Sequence, residues 1–156
     1  MLGPQSGSMG FGLPAALAAK VHDPSRFVLC FAGDGDFQMN GNEMGTALQA
    51  GLNPVILIIN NASYGTIRMH QEREFPARIS ATELVNPDFA ALAQAFGGWS
   101  ARAETTQQFK DALVAAKGRS GLRLIHARID IEQLAASGAS VSGLRAHATA
   151  SDPGHA

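Results

Sequence analysis

Hydrophobic residues in this chain form short runs separated by turns rich in Gly, Pro and polar residues. The runs at 26–32 (RFVLCFA) and 55–59 (VILII) are almost wholly apolar, which is typical of strands that a parallel sheet buries on both faces. Shorter runs at 99–103 and 122–129 predict two more strands. The pattern therefore predicts four strands, and the second of them extends to Asn60.

Helical periodicity fills the interval before each of the first two strands. The segment 10–21 (GFGLPAALAAKV) predicts a helix, because Pro14 is tolerated near a first turn. The segment 42–51 (NEMGTALQAG) predicts a second helix that ends at Gly51.

Three further helices are predicted after the second strand. The first covers 64–74, and the second covers 88–96 with Asn86-Pro87 as its N-terminal cap. The third covers 107–117 and is capped by Thr106.

The alternation of strands and helices predicts an α/β fold, an open parallel sheet with helices on both faces. Residues 1–132 form the predicted domain, which begins with a Gly- and Ser-rich loop at 1–9 and includes an irregular flap at 75–83. The segment 133–156 is small, polar and glycine-containing, and it is predicted to be a flexible C-terminal tail.

Composition narrows the classes of protein that fit. With 156 residues and 46% hydrophobic residues, the chain can build a single sizeable core. A net charge of -1 argues against nucleic acid and anionic membranes as partners. The longest apolar run is about six residues, far short of the roughly 20 that a membrane helix needs. Cys30 is the only cysteine, which excludes an intrachain disulfide and a Cys-cluster metal site. We expect a cytoplasmic protein.

Polar residues follow the first two predicted strands at matching ends. Gly33-Asp34-Gly35 comes after the first strand, and Asn60-Asn61 closes the second, with 24 residues between Gly35 and Asn60. In an open parallel sheet, ligands bind beyond the carboxyl ends of strands. A carboxylate, an amide oxygen and a backbone carbonyl suit Mg²⁺, and glycines let backbone amides approach a diphosphate. Either half alone is an ordinary turn, but the two halves together predict a site for a cation and a diphosphate.

This pairing of GDG with NN about two dozen residues later resembles the C-terminal thiamine-diphosphate-binding (PP) domain of thiamine-diphosphate-dependent enzymes, in the acetolactate synthase-like branch. The similarity covers roughly 3–130. It implies thiamine diphosphate and Mg²⁺ as cofactors, and a thiamine-diphosphate-binding fold that lacks its first strand and helix. FAD, which some acetolactate synthases carry, would bind outside these residues.

The resemblance assigns roles to residues at matching positions. Asp34 and Asn61 match side-chain ligands of the magnesium, and Ser63 matches a ligand that acts through its main-chain carbonyl. The turn at Asp34 contacts the diphosphate, although Asp36 departs from the uncharged residue usual in the family. The complete set of implied cofactor-binding positions is Gly7, Ser8, Met9, Gly33, Asp34, Gly35, Asp36, Asn61, Ser63, Tyr64 and Gly65.

The segment Gly7-Ser8-Met9-Gly10 resembles the family's GSMG motif. The resemblance implies that the carbonyl of Gly7 accepts a hydrogen bond from the cofactor's aminopyrimidine. It also implies that Met9 is the apolar wedge that bends the cofactor. Without the flanking motif, Met9 is better interpreted as a core residue.

Two positions bear on the type of reaction. Ile67 stands where simple pyruvate decarboxylases have a glutamate, and family carboligases tend to have an aliphatic residue there. Without an acid nearby, the reactive intermediate can survive long enough to attack a second carbonyl compound, which favours carboligation. His70 stands where acetolactate synthases usually have Trp, and it is either an acid-base group near the substrate or a solvent-facing helical residue.

The resemblance also implies a partner. The glutamate that activates the aminopyrimidine comes from a pyrimidine-binding domain, and this chain offers no candidate for it. We therefore expect a part of a larger homo-oligomeric enzyme, a lyase or transferase that decarboxylates a 2-oxo acid and ligates the acyl unit to an acceptor. Two alternatives stay open: a cofactor-binding subunit of a split 2-oxo-acid decarboxylase, and a binding module with no activity alone.

Overall fold

The protein is described by a computed structural model that covers residues 1–134 and 140–151. These residues divide into two compact units. The first unit comprises 1–60 and 86–128, and the second comprises 61–85 and the described residues from 129 onward.

A four-stranded parallel sheet forms the centre of the first unit, with strand order β1-β2-β4-β3. Within it, Gly33 pairs with Ile59, and Val55 pairs with Arg123. The prediction of an open parallel sheet is therefore confirmed. The strands are β1 (Leu29–Gly33), β2 (Val55–Asn60), β3 (Trp99–Ala103) and β4 (Arg123–Arg128).

Helices cover both faces of this sheet, as predicted. Because side chains alternate along a strand, Ile56 and Ile58 of β2 lie in one buried cluster, whereas Val55 and Leu57 lie in another. The first cluster includes Leu13 of helix α1, and the second includes residues of α6. The helices of the first unit are α1 (Gly12–His22), α2 (Asp34–Asn40), α3 (Met44–Gln49), α5 (Phe89–Ala95) and α6 (Thr106–Lys117).

The prediction that the first strand is buried on both faces is wrong. The strand starts at Leu29 and lies at one end of the strand order, so Leu29 is 40% exposed and Phe31 is 67% exposed. An apolar run cannot distinguish a central strand from an edge strand. The opposite face of β1 is buried and includes Cys30, and this burial, with a smaller effect of Asp36, raises the pKa of the thiol to about 12. Such a thiol is inert, which fits the prediction of a small core residue.

The Gly-Asp-Gly segment is not only a turn. Gly33 ends β1 in an extended conformation, and the helix α2 begins directly at Asp34. A 3₁₀ turn at Gly41–Glu43 then leads into α3, which ends near Gly51, where φ is +63°. The glycines on both sides of Asp34 are a strong turn signal, and this signal conceals the helix start in the sequence.

Both predicted N-terminal caps in the second half of the chain are displaced. Asp88, and not Asn86, caps α5, since its carboxylate accepts hydrogen bonds from the backbone N–H groups of Ala90 and Ala91. Thr105, and not Thr106, caps α6. Asn86 is thereby left with a different role.

The second unit contains α4 (Gly65–Glu74), close to the helix predicted at 64–74, and α7 (Val141–Ser151). The segment 75–83 has no helix or strand, as predicted, apart from an isolated bridge between Ser63 and Glu83. The predicted flexible tail contains α7, which packs against α4. The tail residues 135–139 and 152–156 lie outside the described residues. In the described part of the chain, no helix is long and apolar enough to cross a membrane.

Candidate functional site

Asp34 and Asn60 lie side by side at the carboxyl ends of β1 and β2. Gly33 of β1 pairs with Ile59 of β2, and Asp34 and Asn60 are the residues that directly follow this pair. Asp34 is 2% exposed and Asn60 is 9% exposed. A buried carboxylate needs hydrogen-bond donors or a cation, so its surroundings define what this edge of the sheet can bind.

Asn86 connects these two residues. Its Nδ2 donates to Oδ2 of Asp34 over 2.6 Å and to Oδ1 of Asn60 over 2.9 Å. Its Oδ1 accepts a hydrogen bond of 2.8 Å from Nε2 of Gln38 in α2. Because a carboxylate only accepts hydrogen bonds, the NH₂ group of Asn86 must face Asp34.

The same set of hydrogen bonds continues to His126 of β4. Nδ2 of Asn60 lies 2.8 Å from Nε2 of His126, and the ring stacks edge-to-face on Phe89 with centroids 5.3 Å apart. Within the described residues, Nδ1 of His126 is buried and has no hydrogen-bond partner. Burial lowers the pKa of His126. The imidazole therefore belongs to the site edge as a neutral group.

The glycine-rich segment before α1 is tied to α2. The N–H of Gly10 donates to Oδ1 of Asp36 over 2.6 Å, and Nδ2 of Asn40 donates to the carbonyl of Gly10 over 2.7 Å. Gly10 has φ +83°, and a Cβ there would lie 2.6 Å from Nδ2 of Asn40. The carboxylate of Asp36 thus serves the backbone of Gly10, which explains how a charged residue is accommodated at this position.

The predicted pyrimidine-side residues are on the surface of the first unit. Gly7 has φ +67°, and a Cβ added there would meet nothing within 4 Å. The hydroxyl of Ser8 lies 2.9 Å from that of Ser6. Met9 is 43% exposed, which rules out its interpretation as a core residue. An exposed methionine close to two glycines with positive φ is free to contact a ligand.

In the second unit, Asn61 begins a tight turn. Its Oδ1 accepts a hydrogen bond of 3.1 Å from the N–H of Ser63, and Ala62 between them has φ +55°. A Cβ on Gly65 would lie 2.8 Å from Nδ2 of Asn61, so this glycine gives the carboxamide its space. The amide oxygen of Asn61 keeps a second lone pair, with which it could bind a cation.

Ser63 and Tyr64 are fixed by the loop that follows α4. The hydroxyl of Ser63 and the N–H of Tyr64 each donate to the carbonyl of Thr82 over 2.9 Å. The carbonyl of Ser63 accepts a hydrogen bond of 2.8 Å from the N–H of Gly65. Ser63 is 3% exposed. Its carbonyl has a second lone pair and so keeps the capacity to bind a metal ion.

The two predicted substrate-side residues lie on the exposed side of α4. Ile67 is 47% exposed. His70 is exposed, and its Nδ1 accepts a hydrogen bond of 2.5 Å from Arg73. This contact is what a solvent-facing helical histidine would make, while the acid-base role stays a prediction.

Glu72 anchors the second unit from the buried side of α4. It is fully buried, and Arg145 of α7 binds it through two hydrogen bonds, of 2.6 Å to Oε1 and 2.9 Å to Oε2. Arg68 donates a further bond of 2.9 Å. The hydrogen bond from Arg145, followed by those from Ala77 and Arg68, outweighs burial and lowers the pKa of Glu72 to about 2. The charges are satisfied within the unit, so Glu72 is structural.

Each unit separately offers oxygen donors of the kind that a hard cation binds. Among the described residues, no three His, Cys, Asp or Glu side chains converge on a metal position. Asp34 contributes a buried carboxylate to the first unit, and Asn61 and Ser63 contribute neutral oxygens to the second. Mg²⁺ commonly takes one or two carboxylates together with substrate phosphates. The joint role of the three residues stays a prediction.

The residues that sequence reasoning missed are Gln38, Asn86 and His126. Asn before Pro is a common cap signal, so the local sequence at Asn86 indicates a helix cap. His126 has the local pattern of an ordinary strand residue. Asn86 and His126 make contacts with residues 52 and 66 positions away, respectively, so no local pattern could have identified them.

The model of the family described as "Thiamine pyrophosphate enzyme, C-terminal TPP binding domain" matches residues 3–127. The chain is 41% identical over 125 residues to the acetolactate synthase isozyme 2 large subunit of Escherichia coli, with 80% of this chain and 23% of the relative covered. It is 46% identical over 93 residues to the acetolactate synthase large subunit of Parasynechococcus marenigrum, with 58% of this chain and 15% of the relative covered.

A solved structure with a similar fold is the thiamine diphosphate-dependent 4-hydroxybenzoylformate decarboxylase of Rhodococcus jostii RHA1. It matches with a TM-score of 0.76 and 31% identity, over 81% of this chain and 24% of that one. The chain thus spans about a quarter or less of the length of each of these relatives.

Proposed function

Because the chain belongs to the thiamine pyrophosphate enzyme family, as its C-terminal TPP binding domain, we propose that it binds thiamine diphosphate together with Mg²⁺. The observation that carries this proposal is the edge of the sheet at which Asn86 joins the buried carboxylate of Asp34 to Asn60. Asn61 follows Asn60 directly in the chain. The GDG and NN segments are therefore present with the order and spacing that the family implies.

We assign roles in cofactor binding as follows. The side chains of Asp34 and Asn61 and the carbonyl of Ser63 would hold Mg²⁺, whose charge would favour binding of the diphosphate. When bound, thiamine diphosphate supplies a carbanion-stabilising centre that the protein does not have. The protein binds and orients it, with the diphosphate on the backbone of Gly33, Gly35 and Asp36, the pyrimidine side on Gly7, Ser8 and Met9, and further contacts from Tyr64 and Gly65.

The proposed reaction is decarboxylation of a 2-oxo acid followed by ligation of the acyl unit to an acceptor. Two kinds of support exist. Relatives named acetolactate synthase or its large subunit share 36–46% identity with the chain, and position 67 has an aliphatic residue, Ile67, and not an acid. An aliphatic side chain at this position cannot donate a proton.

A second candidate is simple decarboxylation of a 2-oxo acid. It is favoured by the similar fold of a solved decarboxylase, 31% identical in sequence. In both cases we propose that a pyrimidine-binding domain supplies the activating glutamate, from the same polypeptide or from a separate subunit in a homo-oligomer. A binding module without activity of its own is the third candidate.

Product analysis tests the proposed reaction. The complete protein that contains this chain is incubated with pyruvate, thiamine diphosphate and Mg²⁺, and the products are separated and identified. Carboligation predicts a product with a new carbon–carbon bond. Acetaldehyde as the sole product would contradict carboligation and favour the decarboxylase. No turnover of several 2-oxo acids, together with tight cofactor binding, would favour the binding module.

A further inference from the structure

We propose that Asn86 is a positioning residue for the metal site: it holds the carboxylate of Asp34 in the orientation that Mg²⁺ requires. This inference rests on the proposed function. It concerns a residue that lies 52 positions from Asp34 in the sequence and belongs to neither the GDG nor the NN segment.

The first argument is the way in which Asn86 engages the carboxylate. Its Nδ2 donates to Oδ2 of Asp34 over 2.6 Å, a short distance that is typical of hydrogen bonds to charged acceptors. Among the hydrogen bonds described for this carboxylate, only Oδ2 is used. The contact restrains Oδ2 on the side of Asn86 and leaves Oδ1 for a cation.

The second argument is that the amide of Asn86 cannot rotate by 180° without loss. Gln38 donates to its Oδ1 over 2.8 Å, while Asp34 and Asn60 accept from its Nδ2. A flipped amide would place an oxygen against the carboxylate and an NH₂ group against that of Gln38. Both ends of the amide would then face groups of the same kind, so one orientation is selected.

The third argument is that the backbone of Asn86 is itself held in place. It precedes Pro87, which restricts its conformation to the extended region. Asp88, two residues further on, caps α5 and is paired with Arg102, and Phe89 is fully buried. The amide is thus attached to the start of a helix that packs on the sheet and does not depend on a free loop.

A fixed carboxylate matters more for Mg²⁺ than for Ca²⁺. Mg²⁺ demands near-octahedral geometry at short distances, whereas Ca²⁺ accepts a flexible shell of six to eight oxygens. Loss of the positioning hydrogen bond should therefore weaken Mg²⁺-dependent cofactor binding more than Ca²⁺-dependent binding. A residue needed only for folding would not change this preference.

The test measures thiamine diphosphate affinity by calorimetry on the complete protein, once with Mg²⁺ and once with Ca²⁺. For Asn86→Ala we expect about tenfold or more weaker binding with Mg²⁺, the size usual for residues that orient a metal ligand, and a smaller loss with Ca²⁺. Asn86→Leu, which keeps most of the volume and lacks the donor, should behave in the same way. The matched control is Ser100→Ala, which removes a hydrogen bond of 2.9 Å to the carbonyl of Ala90 in α5 and should change the affinity less than about twofold.

The outcomes separate this inference from the proposed function. If the unsubstituted protein binds no thiamine diphosphate with Mg²⁺, the proposed function and this inference both fail. If the unsubstituted protein binds it and the Asn86 variants bind equally well, only the positioning role is overturned. Equal losses with Mg²⁺ and Ca²⁺ in the Leu variant would also overturn it, because they would indicate a general structural effect.

Discussion

The side-chain amide of Asn60 donates its hydrogen bond to Nε2 of His126 over 2.8 Å. Hydrogen bonds connect Asp34, Asn86, Asn60 and His126 in that order, and the direction of the last bond follows from Asp34. Asp34 can only accept, so Asn86 turns its NH₂ group towards Asp34 and Asn60, and Asn60 must then turn its own NH₂ group towards the imidazole. Nε2 is therefore an acceptor, and the proton of the neutral ring is on Nδ1. The carboxylate of Asp34 at one end of this set of hydrogen bonds thus determines the tautomer of His126 in β4.

We predict that His126 remains neutral in the Nδ1–H form throughout the neutral pH range. Burial lowers the pKa of His126, so the folded state binds its proton less readily than the unfolded chain. Stability contributed by the neutral ring is therefore complete above the unfolded pKa of about 6.5 and is lost as the pH falls through the lower folded pKa. Long-range ¹H–¹⁵N NMR spectra distinguish the two neutral tautomers and the charged form. An Nε2–H tautomer, or a charged ring at pH 7, would contradict the direction of the network.

Glu72 should make the second unit sensitive to acid. Its pKa is lowered to about 2 by the hydrogen bonds from Arg145, Ala77 and Arg68, so the contribution of the ionised group is present above about pH 4.5 and is lost as the pH falls towards 2. The shift corresponds to about 3 kcal/mol in the free energy of unfolding. Glu72→Gln should remove this part of the pH dependence and destabilise the protein at pH 7 by about 3 kcal/mol or more, because two arginines lose their buried partner.

The control for Glu72 lies on the same helix. Glu74 is paired with Arg73 at 3.7 Å, and both side chains are largely exposed. Glu74→Gln should change the free energy of unfolding by less than about 1 kcal/mol. Urea denaturation of both variants at pH 7 and pH 3 makes the comparison. Similar effects of the two substitutions would show that the buried contacts of Glu72 contribute little.

Gly10→Ala should destabilise the first unit. The new Cβ would lie 2.6 Å from Nδ2 of Asn40 and 2.9 Å from Cβ of Met39, and the backbone at Gly10 has φ +83°. Gly121→Ala is the matched control, since φ is +77° there and nothing lies within 4 Å of the added Cβ. We expect the free energy of unfolding to fall by about 1 kcal/mol in the control, because of the left-handed backbone alone, and by about 2–4 kcal/mol in Gly10→Ala. Equal losses of stability would mean that Asn40 moves aside at no cost.

The sequence predicted the sheet better than the site. The strands β2 and β3 were predicted with the ends that the structure has, because Pro54 precedes the run of apolar residues in β2 and Gly97-Gly98 precedes β3. The parallel order followed from the alternation of strands and helices. Edge position was not predictable for β1, since Phe31 is as apolar as a buried residue but is 67% exposed.

Residues that act over long distances in the sequence were not predictable. The GDG and NN segments are identifiable because their spacing along the chain is informative. Asn86 is not, because its local signal indicates a cap and its actual partners, Asp34 and Asn60, are brought to it by the fold. Helix α7 was also missed. Its composition is polar and small, and its attachment depends on Arg145 and Glu72, which are 73 positions apart.

The central claim, that Asp34 is the anionic ligand of a metal-dependent cofactor site, is tested by titrating the complete protein with thiamine diphosphate in the presence and absence of Mg²⁺. Asp34→Asn keeps the shape of the side chain and its acceptor oxygen towards Asn86 but removes the charge, and Asp111→Asn is an exposed control on α6. We predict that the unsubstituted protein and Asp111→Asn bind thiamine diphosphate only with Mg²⁺, and that Asp34→Asn loses this binding by about a hundredfold, or about 2.7 kcal/mol. Undiminished Mg²⁺-dependent binding by a folded Asp34→Asn protein would contradict the claim.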